Sequence, residues 1–286
     1  MEKEKWPDFF IVGAPRSGTT SLYENLKSIP EIFLSSVKEP NFFSISTDKK
    51  FFAGAIRDKK NYLDLFQNAR ENQLVGESSP SYLRDPKSAQ LIYDVSPHSK
   101  IIIILRNPIE RAFSHYLLFF NLGTIKNSFS DLINQINNLE DEYSKRIFEA
   151  GLYSNQVKKY LNIFGKNQVK ILIFEEAFVD FEQTLNDLLR FLGVQRKVTI
   201  ENKAHGAHSI LKFSFLKPLF KNDSLRSAAK KIPSNWRRSI IKNLVKETPK
   251  SPLMENEKKI LINYYKVDIK NLEKILGRTI PWNLNL

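Results

Sequence analysis

The chain has 286 residues, of which 42% are hydrophobic and 26% charged, a composition typical of a globular protein and not of a disordered one. Cysteine is absent, which excludes disulfide bonds, thiolate metal sites and cysteine nucleophiles. The formal net charge of +13 predicts a protein that attracts anions: nucleotides, phosphorylated or sulfated ligands, nucleic acid, or an acidic membrane surface.

Five short apolar runs, rich in β-branched or aromatic residues and bounded by polar residues, Gly or Pro, predict β-strands. In chain order they are Phe9–Val12, Ile32–Leu34, Leu74–Gly76, Lys100–Leu105 and Val169–Phe174. Because the strongest runs are continuous and do not alternate with polar residues, we expect strands buried on both faces, as in a parallel sheet.

Apolar residues at helical spacing predict helices between and after these strands. They cover Leu22–Ile29, Tyr153–Phe164, Phe181–Leu192 and Leu261–Leu276. Alternating strands and helices predict an α/β fold with a central parallel sheet flanked by helices on both sides, that is, three layers. In such a fold, ligands bind at the carboxyl ends of the strands.

We predict one domain, residues 1–286, with a basic helical subdomain at about 212–250 that prolines break into short helices. Its basic pattern favours a solvated amphipathic face over a surface for an acidic glycan, a lipid or nucleic acid. Met1–Pro7 lacks the apolar core of a secretory signal, and the longest apolar run, Ile101–Leu105, is too short to span a membrane. We therefore expect a cytoplasmic protein, leaving open peripheral membrane contact and the oligomeric state.

The loop Gly13-Ala14-Pro15-Arg16-Ser17-Gly18-Thr19-Thr20 lies between the first predicted strand and the first predicted helix. Backbone N–H groups and a helix N-terminus bind phosphate in this setting. Compared with the loop of P-loop NTPases, Thr19 replaces the lysine and the cation has moved to Arg16. No strand that follows ends in an aspartate able to hold Mg²⁺. The loop therefore predicts a site for a phosphate-like group that needs no metal.

A second strand-to-helix junction begins at Arg106, directly after the strand Lys100–Leu105. Arg106 is expected beside the ligand crevice, and Ser114 about two helical turns further on adds a hydroxyl. Together they predict a second anion site. For Arg111 we favour pairing with Glu110 or solvation.

Both junctions resemble the PAPS-dependent sulfotransferase family, where PAPS is 3′-phosphoadenosine-5′-phosphosulfate. The segment Gly13–Leu22 is similar to the family's 5′-phosphosulfate loop, and Leu105–Tyr116 to its 3′-phosphate motif. The similarity is diffuse but extends over nearly the whole chain, and includes Gly151-Leu152-Tyr153.

The resemblance implies a P-loop-containing fold and PAPS as the donor, with adenosine 3′,5′-bisphosphate as the product. The cofactor-binding candidates that it implies are Pro15, Arg16, Ser17, Gly18, Thr19, Thr20, Arg106 and Ser114, with Lys203 and Gly206 in a late loop that closes over the nucleotide. No metal is implied. The acceptor is expected to be a hydroxyl or amine of a carbohydrate or other small molecule.

Lys38-Glu39-Pro40-Asn41-Phe42-Phe43 resembles a segment of the carbohydrate branch, which includes heparan sulfate sulfotransferases and has bacterial relatives. The resemblance implies that Glu39 is the general base and that Lys38 contacts the transferred group. In-line sulfuryl transfer to an alcohol needs a base at the acceptor and cations at the sulfuryl oxygens, and Arg16 completes that set. A surface charge pair is the alternative for Lys38 and Glu39. Glu77 is a second candidate base, or else a buried structural carboxylate.

Two other functions remain as alternatives. A P-loop nucleotide or metabolite kinase has the same architecture, but it needs the loop lysine and a Mg²⁺-binding aspartate. A basic nucleic-acid-binding protein fits the net charge, but the sequence has no stacking motif or recognition helix. The sequence therefore favours a nucleotide-dependent sulfotransferase that does not bind nucleic acid.

Overall fold

The structure is a computed structural model. It describes residues 4–35, 37–44, 54–199, 209–211, 245–247 and 253–282, with the backbone alone in 209–211 and 245–247. The strands in these ranges are β1 (Phe9–Gly13), β2 (Ile32–Leu34), β3 (Leu74–Ser78), β4 (Lys100–Leu105), β5 (Val169–Ile173), β6 (Ser209–Leu211) and β7 (Val245–Glu247). The α-helices are α1 (Thr19–Lys27), α2 (Lys59–Leu63), α3 (Ser88–Val95), α4 (Pro108–Asn121), α5 (Phe129–Asn134), α6 (Glu142–Phe148), α7 (Tyr153–Phe164), α8 (Phe174–Ala177), α9 (Phe181–Leu192) and α10 (Glu255–Leu276).

Strands β1 to β5 form one sheet in the order β2-β3-β1-β4-β5, and every neighbouring pair is parallel. Strand β1 lies at the centre, with Phe10 in register with Glu77 on β3 and with Ile101 on β4. The loops after β1, β3 and β4 therefore open at the same edge of the sheet. The predicted parallel sheet is confirmed, and β5 ends one residue early because Phe174 begins α8.

Alternate residues of the central strands supply two cores, one on each face of the sheet. Phe10 and Val12 belong to the core that α3, α4, α7 and α10 cover. Phe9 and Ile11 belong to the core that α1 and α9 cover. All residues of β1 are buried, which explains why its sequence is apolar without alternation. The predicted three-layer arrangement follows from these two cores.

Strands β6 and β7 form a separate antiparallel pair, with Ser209 opposite Glu247. Strand β7 falls inside the segment predicted as a basic helical subdomain; the rest of 212–250 lies outside the described residues, so that subdomain stays a prediction. Within the described part of the chain, no helix is both long and apolar enough to cross a membrane.

Candidate active site

The loop between β1 and α1 is shaped by two glycines that cannot be replaced without a clash. A Cβ on Gly13 would lie 2.6 Å from the Cβ of Leu83. Gly18 has a left-handed φ of +92°, and a Cβ there would lie 2.9 Å from the ring of Phe178. Gly18 also precedes α1 and leaves the first helical turn without a side-chain cap. The free N–H groups of that turn are suited to bind an anion.

The side chains of the loop differ in how far they are buried. Ser17 is buried, and its Oγ makes no hydrogen bond within the described residues. An unsatisfied buried hydroxyl in a native fold is uncommon, and such a hydroxyl is suited to donate to a ligand oxygen. Thr19 is also buried, Pro15 is half-buried and Thr20 is exposed at the start of α1. The structure therefore keeps all the predicted loop residues in one short turn.

Arg106 at the end of β4 connects the second junction to this loop. It is 5% exposed, and its Nη1 donates to the backbone oxygen of Arg16 at 3.4 Å. Its guanidinium also pairs with Glu110 at 3.6 Å and lies over the Phe174 ring at 5.0 Å. Burial lowers the pKa of Arg106. Arg106 thus lies at the carboxyl edge of the sheet, directly after β4, and its role as a phosphate ligand stays a prediction.

Arg16 joins the two predicted phosphate sites directly. It has a φ of +69°, and its Nε donates to Ser114 Oγ on α4 at 3.1 Å. Its pKa is lowered, first by partial removal from water and then by the positive charges of Arg106 and Arg111. The chain thus concentrates positive charge at the carboxyl edge of the sheet.

The prediction for Arg111 is wrong. Arg111 is neither solvated nor paired with Glu110; it is fully buried and donates to the backbone oxygen of Ile147 at the end of α6. Its Nη1 also lies 3.1 Å from Nδ1 of His115. Burial and then the charge of Arg111 lower the pKa of His115 well below its usual range, so His115 is neutral and accepts at Nδ1.

Lys38 and Glu39 form an ion pair, and the Glu39 side chain is 47% exposed. Glu39 has a φ of +61°, and its N–H donates to the oxygen of Ser78, the last residue of β3, at 3.1 Å. This bond holds Glu39 at the same sheet edge as the phosphate loop, and its charge acts to raise the pKa of Arg16. Lys38 and Glu39 thus form a partly exposed ion pair, as in the alternative interpretation. The same pair also lies at the sheet edge that carries the predicted donor site.

Glu77 lies on β3, next to Ser78, and is fully buried. Its Oε2 accepts from the hydroxyls of Tyr62 (2.9 Å) and Tyr82 (2.8 Å), whereas Oε1 makes no hydrogen bond within the described residues. Burial raises the pKa of Glu77 to about 7. An acceptor molecule has no access to this carboxylate, since no part of it reaches solvent.

We expect Glu77→Gln to become more stable than the wild type as pH rises from 5 to 8. Because the pKa of Glu77 is raised in the folded protein, the folded wild type keeps a proton that the unfolded chain releases. The protonated carboxyl thus stabilises the wild type at low pH, and this stabilisation is lost as pH rises through about 7. A shift from 4.5 to about 7 corresponds to about 3 kcal/mol. Urea unfolding at both pH values measures the difference; an equal difference at pH 5 and pH 8 contradicts the expectation.

Several supporting residues carry no recognisable sequence signal. The hydroxyl of Tyr153 lies close to Ser17 but donates to the backbone oxygen of Arg106 at 2.8 Å. Asp268 on α10 accepts from the N–H groups of Tyr153 (2.6 Å) and Ser154 (3.1 Å) and so caps α7. Only the Gly151-Leu152-Tyr153 similarity pointed to this region, and nothing pointed to Asp268, which lies more than 100 residues along the chain.

The structure does not test two sets of predictions. Lys203 and Gly206 lie outside the described residues, so the loop predicted to close over the nucleotide stays a prediction. Among the residues that the structure covers, no three His, Asp or Glu side chains come together as a metal site. The expectation that no metal is required stays a prediction as well.

A parallel α/β sheet with a glycine-bounded phosphate loop after its central strand defines the class of P-loop-containing folds. The profile of the sulfotransferase domain family matches residues 6–258, and the chain belongs to that family. A solved sulfotransferase from Alicyclobacillus acidocaldarius is 28% identical, with a TM-score of 0.73, over 96% of this chain and 98% of the other. The sulfotransferase domain from the curacin biosynthetic pathway shares the fold, at 16% identity and a TM-score of 0.52, over 98% of this chain and 100% of the other.

Among curated relatives, carbohydrate sulfotransferase 15 of Homo sapiens is 27% identical over 248 residues, covering 66% of this chain and 44% of the relative. Heparan sulfate glucosamine 3-O-sulfotransferase 3B1 of Homo sapiens is 27% identical over 202 residues, covering 68% and 47%. The chain thus spans less than half the length of these relatives. The predicted family and its similarity to the carbohydrate branch are confirmed.

Proposed function

We propose that this sulfotransferase takes its sulfuryl group from PAPS and transfers it to a hydroxyl or amine of a carbohydrate or other small acceptor. The observation that carries the proposal is the direct link between two anion-binding elements. Arg16 from the first loop bonds Ser114, and Arg106 from the second junction bonds Arg16. A nucleotide with separate 5′ and 3′ phosphates matches two adjacent anion sites.

The loop Gly13–Thr20 carries groups that are suited to bind a phosphosulfate group. The N-terminus of α1 has no side-chain cap, so its first N–H groups are suited to bind the ligand's oxygens. The unsatisfied Ser17 Oγ supplies a further hydrogen-bonding group. In this assignment Pro15, Thr19 and Thr20 complete the 5′ side, and Arg106 with Ser114 holds the 3′-phosphate.

For the transfer step, exposure favours Glu39 over Glu77 as the base, because only Glu39 has a carboxylate that an acceptor can reach. Glu39 takes the acceptor proton while the acceptor oxygen bonds to sulfur and the bond from sulfur to the bridging oxygen breaks. Lys38 and Arg16 stabilise the negative charge on the sulfuryl and bridging oxygens. Arg16 acts by its charge, since a guanidinium does not readily release its proton.

The acceptor class is inferred from the relatives named above, which act on carbohydrates by their names. A transfer assay with ³⁵S-labelled PAPS tests it, using heparan sulfate oligosaccharides and a simple phenol in parallel. Label on the oligosaccharides supports a carbohydrate acceptor, whereas label on the phenol alone contradicts it. A cytoplasmic location remains part of the proposal.

We expect adenosine 3′,5′-bisphosphate to raise the melting temperature without Mg²⁺, because a ligand that binds only the folded state stabilises it by mass action. At a concentration of 100 times Kd the gain is about 2.7 kcal/mol. Thermal-shift measurements with and without Mg²⁺, and with ATP plus Mg²⁺, separate the candidates. Stabilisation by ATP with Mg²⁺ alone points to a kinase, and the absence of stabilisation by either nucleotide contradicts the proposed donor.

A further inference from the structure

The segment Lys38–Ser44, here the Glu39 loop, has no regular secondary structure and contains two residues in left-handed conformations. These are Glu39 (φ +61°) and Asn41 (φ +51°). Non-glycine residues adopt such backbone angles at a cost, and they persist where surrounding contacts hold them. The loop must therefore be fixed by its neighbours if the Glu39 carboxylate is to keep one position.

Backbone hydrogen bonds fix this loop at every second residue. The N–H of Glu39 donates to Ser78 O (3.1 Å) and that of Asn41 to Ser79 Oγ (3.0 Å). The N–H of Phe43 donates to the hydroxyl of Tyr82 (3.3 Å). All three acceptors belong to residues 78–82, which directly follow Glu77 along the chain. The Glu39 loop is thus bound along its length to one short segment.

Aromatic packing strengthens the same attachment. Phe42 stacks on Tyr62 with ring centroids 4.2 Å apart, and Phe43 meets Tyr82 edge-on at 5.7 Å. Tyr62 and Tyr82 are therefore the two side chains that hold the far end of the loop. Both are buried, and both donate their hydroxyl hydrogens to Oε2 of Glu77.

We propose that Glu77 is a positioning residue: its Oε2 is the shared acceptor that orients Tyr62 and Tyr82 and thereby holds the loop that carries Glu39. The connection to the loop backbone is direct, since the Tyr82 hydroxyl donates to Glu77 and accepts from the Phe43 N–H. The consequence for catalysis rests on the proposed role of Glu39 as base. The attachment itself rests on the hydrogen bonds and ring contacts and not on the proposed function.

If Glu77 has this role, two substitutions at this position should have different effects. Glutamine keeps an oxygen with two lone pairs where Oε2 accepts both hydroxyls, and its amide nitrogen takes the place of Oε1, which has no partner within the described residues. Methionine has a similar length but offers no comparable acceptor, so it leaves the hydroxyl hydrogens of Tyr62 and Tyr82 without their acceptor. A base at Glu77 would instead be lost in both variants.

We expect Glu77→Gln to keep kcat within about threefold of the wild type, and Glu77→Met to lower kcat at least tenfold with an unchanged KM for PAPS. Tyr82→Phe keeps the ring and removes the hydroxyl, so it provides the same test without changing Glu77. Tyr265→Phe is the matched control, because its buried hydroxyl donates to the backbone oxygen of Phe148, away from the loop. It should leave kcat unchanged.

Amide hydrogen exchange across residues 38–44 gives a readout that needs no substrate. Faster exchange in Tyr82→Phe and not in Tyr265→Phe supports the attachment even if no acceptor is turned over, so failure of the proposed function is told apart from failure of this inference. Unchanged exchange in Tyr82→Phe overturns it. A loss of kcat in Glu77→Gln as large as that in Glu39→Gln also overturns it, because Glu77 would then act as the base.

Discussion

Glu39→Gln lowers kcat by about 10²–10⁴-fold while adenosine 3′,5′-bisphosphate binds with unchanged affinity. Glutamine matches the shape of Glu39 but cannot accept the acceptor's proton, so the loss falls on the chemical step. The backbone bond from Glu39 to Ser78 does not involve the side chain and is kept. Single-turnover kinetics with ³⁵S-labelled PAPS measures the step, and thermal shift measures the binding.

Glu31→Gln is the matched control for this prediction. Glu31 is also a partly exposed glutamate paired with a cation, Arg196, but it precedes β2 at the opposite end of the sheet. Removing its charge should leave both kcat and nucleotide binding unchanged. If Glu39→Gln retains wild-type turnover, the assignment of the base is wrong. If both variants lose activity equally, the effect is one of general charge and not of catalysis.

The parts of the site that follow directly from a strand were predictable from the sequence. Phe9–Val12 and Lys100–Leu105 are continuous, mainly apolar runs, as is typical of strands buried on both faces of a parallel sheet. Whatever follows them must then lie at the carboxyl edge, which places the Gly13–Thr20 loop and Arg106 near each other. How near they lie depends on the pairing of β1 with β4, which the sequence did not supply.

The residues that were mispredicted or left open depend on contacts between distant segments. Arg111 was expected at the surface because a helix pattern shows neighbours at i+3 and i+4 but not α6, whose backbone oxygens receive its hydrogen bonds. Glu77 was left open because no local pattern reveals that Tyr62 and Tyr82 cover it. Glu39 was identified from family resemblance alone, since its loop has no periodicity to read.

Helix α10 also shows that contacts between distant segments cannot be predicted from a local sequence pattern. Its apolar spacing predicted the helix, and Leu261, Tyr265 and Leu272 pack into the core as expected. Its contribution to the site comes instead from Asp268, which caps α7 and so fixes Tyr153 against Arg106. A single charged residue on an otherwise ordinary amphipathic helix gives no sequence signal of that kind.

Arg106→Ala weakens adenosine 3′,5′-bisphosphate binding by about 30-fold or more, since truncating a buried charged contact costs about 2–5 kcal/mol. Adenosine 5′-monophosphate lacks the 3′-phosphate and should bind the variant and the wild type about equally. Isothermal titration with both nucleotides separates the two phosphate sites. Arg196→Ala, which removes a half-exposed arginine at the opposite end of the sheet, is the control and should change neither affinity.

The comparison of nucleotides also tests the alternative that Arg106 acts only on the structure of the loop. Its Nη1 donates to the backbone of Arg16, so its removal frees one bond of the 5′-phosphate loop. If that bond were its whole contribution, the two nucleotides would weaken by the same factor. A selective loss of the bisphosphate assigns Arg106 to the 3′-phosphate, and it leaves the loop at Gly13–Thr20 as the site of the 5′ group.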